Sequence, residues 1–407
     1  MRRNHCLVCQ STELERILDL GAHAYADTFV PVDKKCDPLV TYNLSCVLCE
    51  SCGNVQTLSK TEPHDRYASL YEYSYTSSNS NTSKKHWINF CLQVSDNISL
   101  PEDAFVIEVG SNDGFLLKQF RDSRSARTLG IDASPHVSQI ARTVNGIETK
   151  VAVFDSQIAE TVLEEHGHAN LVAANNVFNH SEDPVDFAKA ASTLLTDDGT
   201  FVFEAPYWKC SVESEKIDQV YHEHVTYLTV KAAREMLRRA NMVIVDVQVV
   251  NYHGGSLRVY AQKTGAEESE LVSAMIEEEE NIGLYNLSTY ENLSNRLQES
   301  KFNFLKRIYE IKAAGGSLVA VGAAAKGNTF LTLLNLDNSV IDYVTDASEY
   351  KQGKLTPLTS IPIRGDEVFA EYGEVYAIIL SWNISDKIKQ KLNEINPEIK
   401  FLVFSDF

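Results

Sequence analysis

Between residues 105 and 263 the chain alternates apolar, β-rich runs with stretches of helical periodicity, and this rhythm narrows the possible folds more than any other feature. The runs are FVIEVG (105–110), ARTLGID (126–132), TKVAVF (149–154), NLVAANNVF (170–178), GTFVFEAP (199–206), MVIVDVQVV (242–250) and SLRVYAQK (256–263). Helical patterns fill most of the gaps, for example 185–195 and 230–240. Such alternation predicts a parallel sheet with right-handed crossovers. The last two runs are joined only by NYHGG, residues 251–255, which is too short for a crossover helix, so they should pair antiparallel.

Residues 265–313 read as helix–turn–helix, with Leu293, Leu297, Phe304, Ile308 and Ile311 at helical spacing, and the acidic run 277–280 reads as a solvated helix face. Strand–helix alternation then resumes, with candidate strands at 317–323, 341–348, 375–382 and 401–407, and predicts a second, smaller α/β unit. The expected division is a small cysteine-bearing domain over 1–72, a core over 73–264, and a helical connection plus α/β domain over 265–407. The Ser/Asn-rich stretch 76–83 reads by composition as a linker. No apolar run approaches the ~20 residues of a bilayer-spanning helix, and the N-terminus MRRNHCLVC lacks a signal-peptide stretch, so a cytoplasmic protein is expected. A net charge of −19 repels phosphate backbones and argues against a broad nucleic-acid surface, while leaving room for a small anion where positive groups converge.

Six of the eight cysteines fall within the first 52 residues. Cys6-x-x-Cys9 and Cys49-x-x-Cys52 each place two thiolates on a tight turn, and two such turns can close the four-thiolate tetrahedron that zinc favours. Cys46-x-x-Cys49 is an alternative second pair; Gly53 directly after Cys52 favours 49 and 52. Four protein ligands leave no open coordination position, so a structural role is expected.

Glu108-Val-Gly110-Ser-Asn112-Asp113-Gly114 follows the first run of the core and opens a helix at Phe115. Glycines there let the backbone approach a ligand at the strand's carboxyl end. The loop is neither G-x-G-x-x-G nor a Walker loop, and it carries acids without a base. A pyrophosphate is a poor guest there; a cationic or amino-bearing ligand such as S-adenosylmethionine (SAM) is a better one. One strand later Asp132 stands where ribose hydroxyls are gripped in such sheets. Asn176, after the fourth run, joins Glu108, Gly110, Asn112, Asp113, Gly114 and Asp132 as a cofactor-binding candidate.

Tyr221-His222-Glu223-His224 is the densest chemical string in the chain. A Glu flanked by two His and a Tyr can hold an imidazole in one tautomer and raise its basicity. His180, within NNVFNH, belongs at the carboxyl edge of the sheet, and His253 lies in the hairpin loop.

The ordered motifs C-x-x-C…C-x-x-C-G, Y-x-Y-x-S-S (residues 73–78), E-V-G-S-N-D-G, N-N-V-F-N-H, Y-H-E-H, H-G-G-S-L-R and G-A-A-A-K-G-N-T span essentially the whole chain. This order resembles the SAM-dependent sugar C-methyltransferases that act on nucleotide-linked keto-deoxysugars. The resemblance implies a zinc-binding N-terminal domain, a class I methyltransferase core with a Rossmann-like seven-stranded sheet, and a C-terminal Rossmann-like domain that helps hold a dTDP- or GDP-linked sugar. It implies methylation of a ring carbon beside a 4-ketone, C3 foremost, through an enolate; a monomer is expected.

Carried over by motif, His224 is the base and Glu223 its orienting partner, while Tyr75, Tyr221 and His180 line the sugar and the enolate oxygen. Ser77, Ser78 and His253 belong to the substrate site, with Arg258, Lys326 and Asn328 as diphosphate and nucleotide contacts. The 76–83 stretch then reads as a loop over the site. Leu358 departs from the family pattern, standing in LTPLT where Pro-Gly-Thr is common; a leucine there opposes a positive-φ turn. An O- or N-methyltransferase is the alternative enzyme, disfavoured because it needs no enolate machinery; a non-catalytic zinc- and nucleotide-binding protein is a third reading.

Overall fold

The structure is a computed structural model that describes residues 2–62, 76–78, 80–215 and 217–407. Its strands, in chain order, begin with β1 (Leu14–His23), β2 (Val30–Pro31), β3 (Tyr42–Cys49) and β4 (Val55–Thr57). The core contributes β5 (Phe105–Val109), β6 (Arg127–Asp132), β7 (Thr149–Val151), β8 (Ala169–Asn175), β9 (Leu195–Pro206), β10 (Thr226–Tyr227), β11 (Met242–Val250) and β12 (Ser256–Lys263). The C-terminal part adds β13 (Leu318–Val321), β14 (Tyr343–Thr345), β15 (Lys354–Leu355), β16 (Ile363–Arg364), β17 (Val375–Ile379) and β18 (Ile399–Val403).

The central sheet has seven strands in the order β11-β12-β9-β8-β5-β6-β7. Strands β9 to β7 pair parallel, and β12 pairs antiparallel with both β11 and β9. Alternate residues bury on opposite faces, as a sheet covered on both sides requires. Ile107, Val172 and Phe203 face the helices that carry Ala159, Phe187 and Met236. Val106, Leu171 and Val202 face the helices Asn81–Asn97 and Phe115–Arg124 through Trp87, Phe90, Leu117 and Phe120.

The C-terminal part is a parallel five-stranded sheet, β16-β14-β13-β17-β18. The run 401–407 does not stay in register as one strand. The ladder with β17 ends at Val403, and Phe404–Asp406 turns as a single 3-10 helix so that the Phe404 ring packs on Phe304 and Phe330.

Besides the antiparallel pair of β2 with β15, two links tie the parts together. The 27-residue helix Leu287–Ala313, about 40 Å long at the usual rise, buries Tyr290 and Leu293 against Ile17, Leu18 and Leu48 of the N-terminal domain and Phe304 and Ile308 against the C-terminal sheet. The N-terminal sheet, ordered β1-β3-β4-β10, takes its last strand from the core, with Thr226 opposite Gln56 and Tyr227 opposite Val55.

The acidic run 277–280 is solvated at Glu277, Glu278 and Glu280 but not at Glu279, which is fully buried. The Glu279 carboxylate accepts from the backbone N–H of Val230 at 2.6 Å and Lys231 at 3.2 Å, and from the hydroxyls of Tyr207 and Tyr285. It therefore satisfies the open N–H groups of the helix Val230–Arg239 and complements that helix's dipole.

Candidate active site

The cysteine knuckles are assembled. The Sγ atoms of Cys6, Cys9, Cys49 and Cys52 all lie within 4.8 Å of one another, with Cys6–Cys52 at 3.6 Å and Cys9–Cys49 at 3.5 Å. Thiolates placed about 2.3 Å from zinc at tetrahedral corners sit ~3.8 Å apart, so the donor set fits zinc. Cys46 stands apart on β3, buried, and its thiol is pushed up to about 12 by that burial. Gly53 makes the second knuckle possible: its φ is +72° and an added Cβ would lie 2.4 Å from the Tyr285 ring.

The acidic loop stands at the carboxyl ends of β5, β6 and β8, the edge where open α/β sheets bind ligands. Gly110 has φ +69°, and a Cβ there would lie 2.0 Å from Val177. Asp132 holds the loop from the next strand: one carboxylate oxygen accepts from the Asn112 N–H and the other from the Ser134 N–H, each at 2.8 Å. Burial raises its pKa, opposed by those two N–H groups. Glu108 is raised well above the usual carboxylate range, first by burial and then by Asp113 and Asp132, and its Oε2 is enclosed without a partner. Three carboxyl groups converging with an unpaired oxygen suit a ligand that carries positive charge, as SAM does on its sulfonium and amine. Asn176 sits at φ +55° just past β8, its N–H bonded to the Glu204 carbonyl at 2.7 Å.

Ser77 and Ser78 reach this loop directly. The Ser77 N–H donates to Asn112 Oδ1 at 2.9 Å, and both hydroxyls donate to the Asp113 carboxylate. Their polar groups are thus engaged by the cofactor loop. Tyr75 lies outside the described residues.

The Tyr221–His224 segment is a turn closed by the His224 N–H on the Tyr221 carbonyl at 3.1 Å. His224 is buried. Its Nδ1 lies 2.8 Å from the Gln219 carbonyl, which can only accept, so Nδ1 carries the proton. Its Nε2 is therefore the lone-pair nitrogen, 2.6 Å from the Tyr221 hydroxyl. The His180 ring meets the His224 ring edge-on at 5.0 Å. Burial, His180, Lys326 and His253 together hold His224 well below its ordinary pKa, against the Gln219 carbonyl. Burial likewise lowers His180 to about 4, and burial with Lys326 and His86 lowers His253 to about 3.

Glu223 does not hydrogen-bond to His224; Gln219 supplies the orienting acceptor, through a backbone atom with no side-chain signature in sequence. Both Glu223 carboxylate oxygens are enclosed without a hydrogen bond of normal geometry, although the backbone N–H groups of Ala26 and Asp27 lie near enough to favour the charged form somewhat. Burial and the Asp27 charge raise its pKa to about 8. His222 turns away from the other histidines. Its Nε2 lies 3.2 Å from the carbonyls of both His23 and Tyr42, between the Tyr25 and Tyr42 rings.

Arg258 and Asn328 are enclosed, each 1% exposed. The Arg258 guanidinium is held by Glu204 at 2.6 Å and by Gln93, and Asn328 Nδ2 donates to the Ala26 carbonyl. Both brace the interior rather than face an open diphosphate. Lys326 is only half-buried, bridging to Asp218 at 3.2 Å. Leu358 adopts the positive φ that a leucine opposes, +59°, and is 39% exposed, and Thr356 Oγ1 accepts from the Ile361 N–H at 2.9 Å.

Residues 251–404 match the family described as C-methyltransferase C-terminal domain, residues 81–247 a methyltransferase domain, and residues 6–67 a zinc binding domain. The C-methyltransferase NovU of Streptomyces niveus is 26% identical over 387 residues, covering 95% of this chain and 91% of that protein. The enzyme is a SAM-dependent C-methyltransferase. Among solved structures, a SAM-dependent methyltransferase from Anabaena variabilis aligns at 15% identity over 50% of this C-methyltransferase and 96% of that chain, with a TM-score of 0.39. The magnesium protoporphyrin IX methyltransferase of Synechocystis with bound SAH aligns at 14% identity over 49% and 94%, with a TM-score of 0.36. The zinc binding domain brings the thiols of Cys6, Cys9, Cys49 and Cys52 together as one donor set, and the C-methyltransferase uses SAM through its methyltransferase domain.

Proposed function

We propose that this C-methyltransferase methylates a ring carbon, C3 foremost, beside the ketone of a nucleotide-diphospho-4-keto-deoxysugar, with His224 as general base. The carrying observation is the Gln219 carbonyl on Nδ1, which leaves Nε2 as the basic atom beside the Tyr221 hydroxyl. NovU carries the printed name C-methyltransferase, and the motif order resembles enzymes of nucleotide sugars; both support the reading.

In the reaction the C–H beside the ketone gives its proton to His224 Nε2, and its electron pair moves into an enolate. SAM supplies the electrophilic methyl group that this carbon takes, and leaves as S-adenosylhomocysteine. A neutral imidazole of lowered basicity is a weak base for such a C–H, so the ketone oxygen must be stabilised as charge develops. Tyr221 turns its hydroxyl from Nε2 to that oxygen, and the Lys326 ammonium, close enough to depress His224, adds positive charge. His180 packs the other side of the base. Transfer to oxygen or nitrogen would need no stabilisation of an enolate. Incubation of keto-sugar nucleotides with methyl-labelled SAM, followed by mass spectrometry and NMR of the product, tests the reading; label recovered on oxygen or nitrogen rather than on carbon overturns it.

A further inference from the structure

Gln219 is buried, and it is held at both ends. Its backbone carbonyl accepts from His224 Nδ1 at 2.8 Å, and its side-chain Nε2 donates to the His253 carbonyl at 3.0 Å. Fixing the far end of a side chain limits where its own backbone can stand. The hairpin loop between β11 and β12 therefore bears on the acceptor that selects the His224 tautomer.

The loop is itself constrained. His253, Gly254 and Gly255 take φ values of +52°, +88° and +115° in succession. The Tyr252 carbonyl accepts from the Gly255 N–H at 3.0 Å and from the Ser256 hydroxyl at 2.9 Å, and the Gly255 carbonyl accepts from the Tyr207 N–H at 3.1 Å. A Cβ on Gly255 would lie 2.7 Å from Cys210 Sγ, so the loop sits directly on the helix Trp208–Glu213.

The other side of the loop is clamped by an aromatic stack. The Tyr252 ring lies parallel to the His86 ring, 4° between planes and 3.7 Å between centroids. His86 stands on the helix Asn81–Asn97, and its Nε2 lies 2.7 Å from Glu204. The other Glu204 oxygen takes the Arg258 guanidinium at 2.6 Å. Glu204 is fully buried and Arg258 is nearly so. A carboxylate enclosed between two such donors has one position, and the imidazole bonded to it presents one fixed face.

We infer that Gln219, through its side chain, and His86 are positioning residues for the base. Glu204 fixes the His86 ring, and His86 fixes Tyr252 and the loop. The His253 carbonyl then fixes Gln219, whose own carbonyl keeps the proton on Nδ1 of His224. An imidazole whose Nδ1 acceptor drifts can carry its proton on Nε2 instead, and that ring has no lone pair to offer the C–H. The inference rests on the reading of His224 as the base, and it gives the buried Arg258–Glu204 pair a task in the reaction.

The test uses the full chain and two variants. Gln219→Leu keeps the bulk of the buried side chain and removes its donor; His86→Ala removes the stack. Nitrogen NMR of histidine-labelled protein reads the tautomer, and the resonances lost in His224→Ala identify the ring. Wild type should show one protonated and one unprotonated nitrogen in His224, and Gln219→Leu should show a mixture. Its kcat should fall roughly 10–100-fold, the scale of a misplaced catalytic group, with KM and SAM affinity little changed. His86→Ala should act in the same direction. The double variant should lose no more than Gln219→Leu alone, because the two act in series. An unchanged His224 tautomer in Gln219→Leu overturns the inference, as do losses that multiply in the double variant. A mixed tautomer with full turnover would uphold the anchor and overturn the reading of His224 as the base.

Discussion

The Tyr221 hydroxyl lies 2.6 Å from Nε2 of His224, on the one ring nitrogen that the Gln219 carbonyl leaves unprotonated. The same tyrosine therefore guards the base at rest and is placed to receive the negative charge that the base creates. His224→Ala should lower turnover roughly 10²–10⁴-fold, the usual loss for a general base, with SAM affinity unchanged. Tyr221→Phe keeps the base but loses the hydroxyl, so exchange of the substrate's acidic C–H into heavy water should slow as well. If His224→Ala exchanges that hydrogen as fast as wild type, another group takes the proton.

The lowered pKa of His224 sets a pH dependence. A base held well below 6.5 is already neutral at pH 7 and stays neutral as the medium is acidified toward its folded pKa. Turnover per bound substrate should therefore show no acid limb between pH 8 and pH 6.5; a limb centred at an ordinary histidine pKa would contradict the burial that causes the shift.

Zinc should matter to catalysis through β10. That strand follows His224 by two residues and closes the N-terminal sheet against β4, whose neighbour β3 ends at Cys49. Cys49→Ser should lose zinc, and its activity should fall further than its affinity for SAM, because the catalytic turn loses its anchor while the cofactor loop does not. Cys46→Ser should retain the full zinc content by metal analysis; depleted zinc there would make Cys46 a ligand.

Much of this was legible in the sequence. The seven strands announced themselves because each centres on a β-rich apolar run, buried throughout in β5 and nearly so in β8, and the five-residue link 251–255 forced the antiparallel pair. The knuckles were readable because metal chemistry demands a local spacing. What escaped was set by contacts between distant segments. β10 is two residues long and exists only because β4 pairs with it. Glu279 looks like its solvated neighbours until the helix Val230–Arg239 is placed over it. Adjacency in sequence suggested Glu223 as the partner of His224, but the turn brings a backbone carbonyl to Nδ1 instead, and carbonyls are the same at every position. Burial of Arg258 and Asn328 was likewise invisible, since their types usually signal exposure.

The Leu358 turn stores measurable strain. A leucine at φ +59° sits in the left-handed region that costs an L-residue about 1–2 kcal/mol, and its side chain is substantially exposed, so little packing offsets that cost. Glycine relieves the strain but loosens the unfolded chain by about 0.4–1 kcal/mol. Leu358→Gly should therefore stabilise the protein modestly, by about 0.5–1 kcal/mol in denaturant unfolding. A destabilised variant would mean that the leucine makes contacts worth more than its backbone strain.

Glu223 gives the sharpest stability test. It titrates at about 8 in the folded chain and near 4.5 as a free side chain, shifted by burial and by the Asp27 charge. Between those values the folded protein holds a proton that the unfolded chain has released, so this contribution to stability is complete below 4.5 and is lost as pH rises toward 8. Glu223→Gln keeps the shape and removes the titration. Its melting temperature relative to wild type should be constant at acid pH and climb steadily from pH 5 to pH 8. Asp27→Asn removes the neighbouring charge, lowers the Glu223 pKa and should narrow that window from its alkaline end. Because the Gln219 carbonyl already orients His224, Glu223→Gln should also retain most of its activity at pH 7, when the native side chain is itself largely protonated. Parallel melting curves for Glu223→Gln and wild type across this range would show that the carboxyl is ionised in the fold, and a hundredfold loss of turnover would show that its charge serves the reaction.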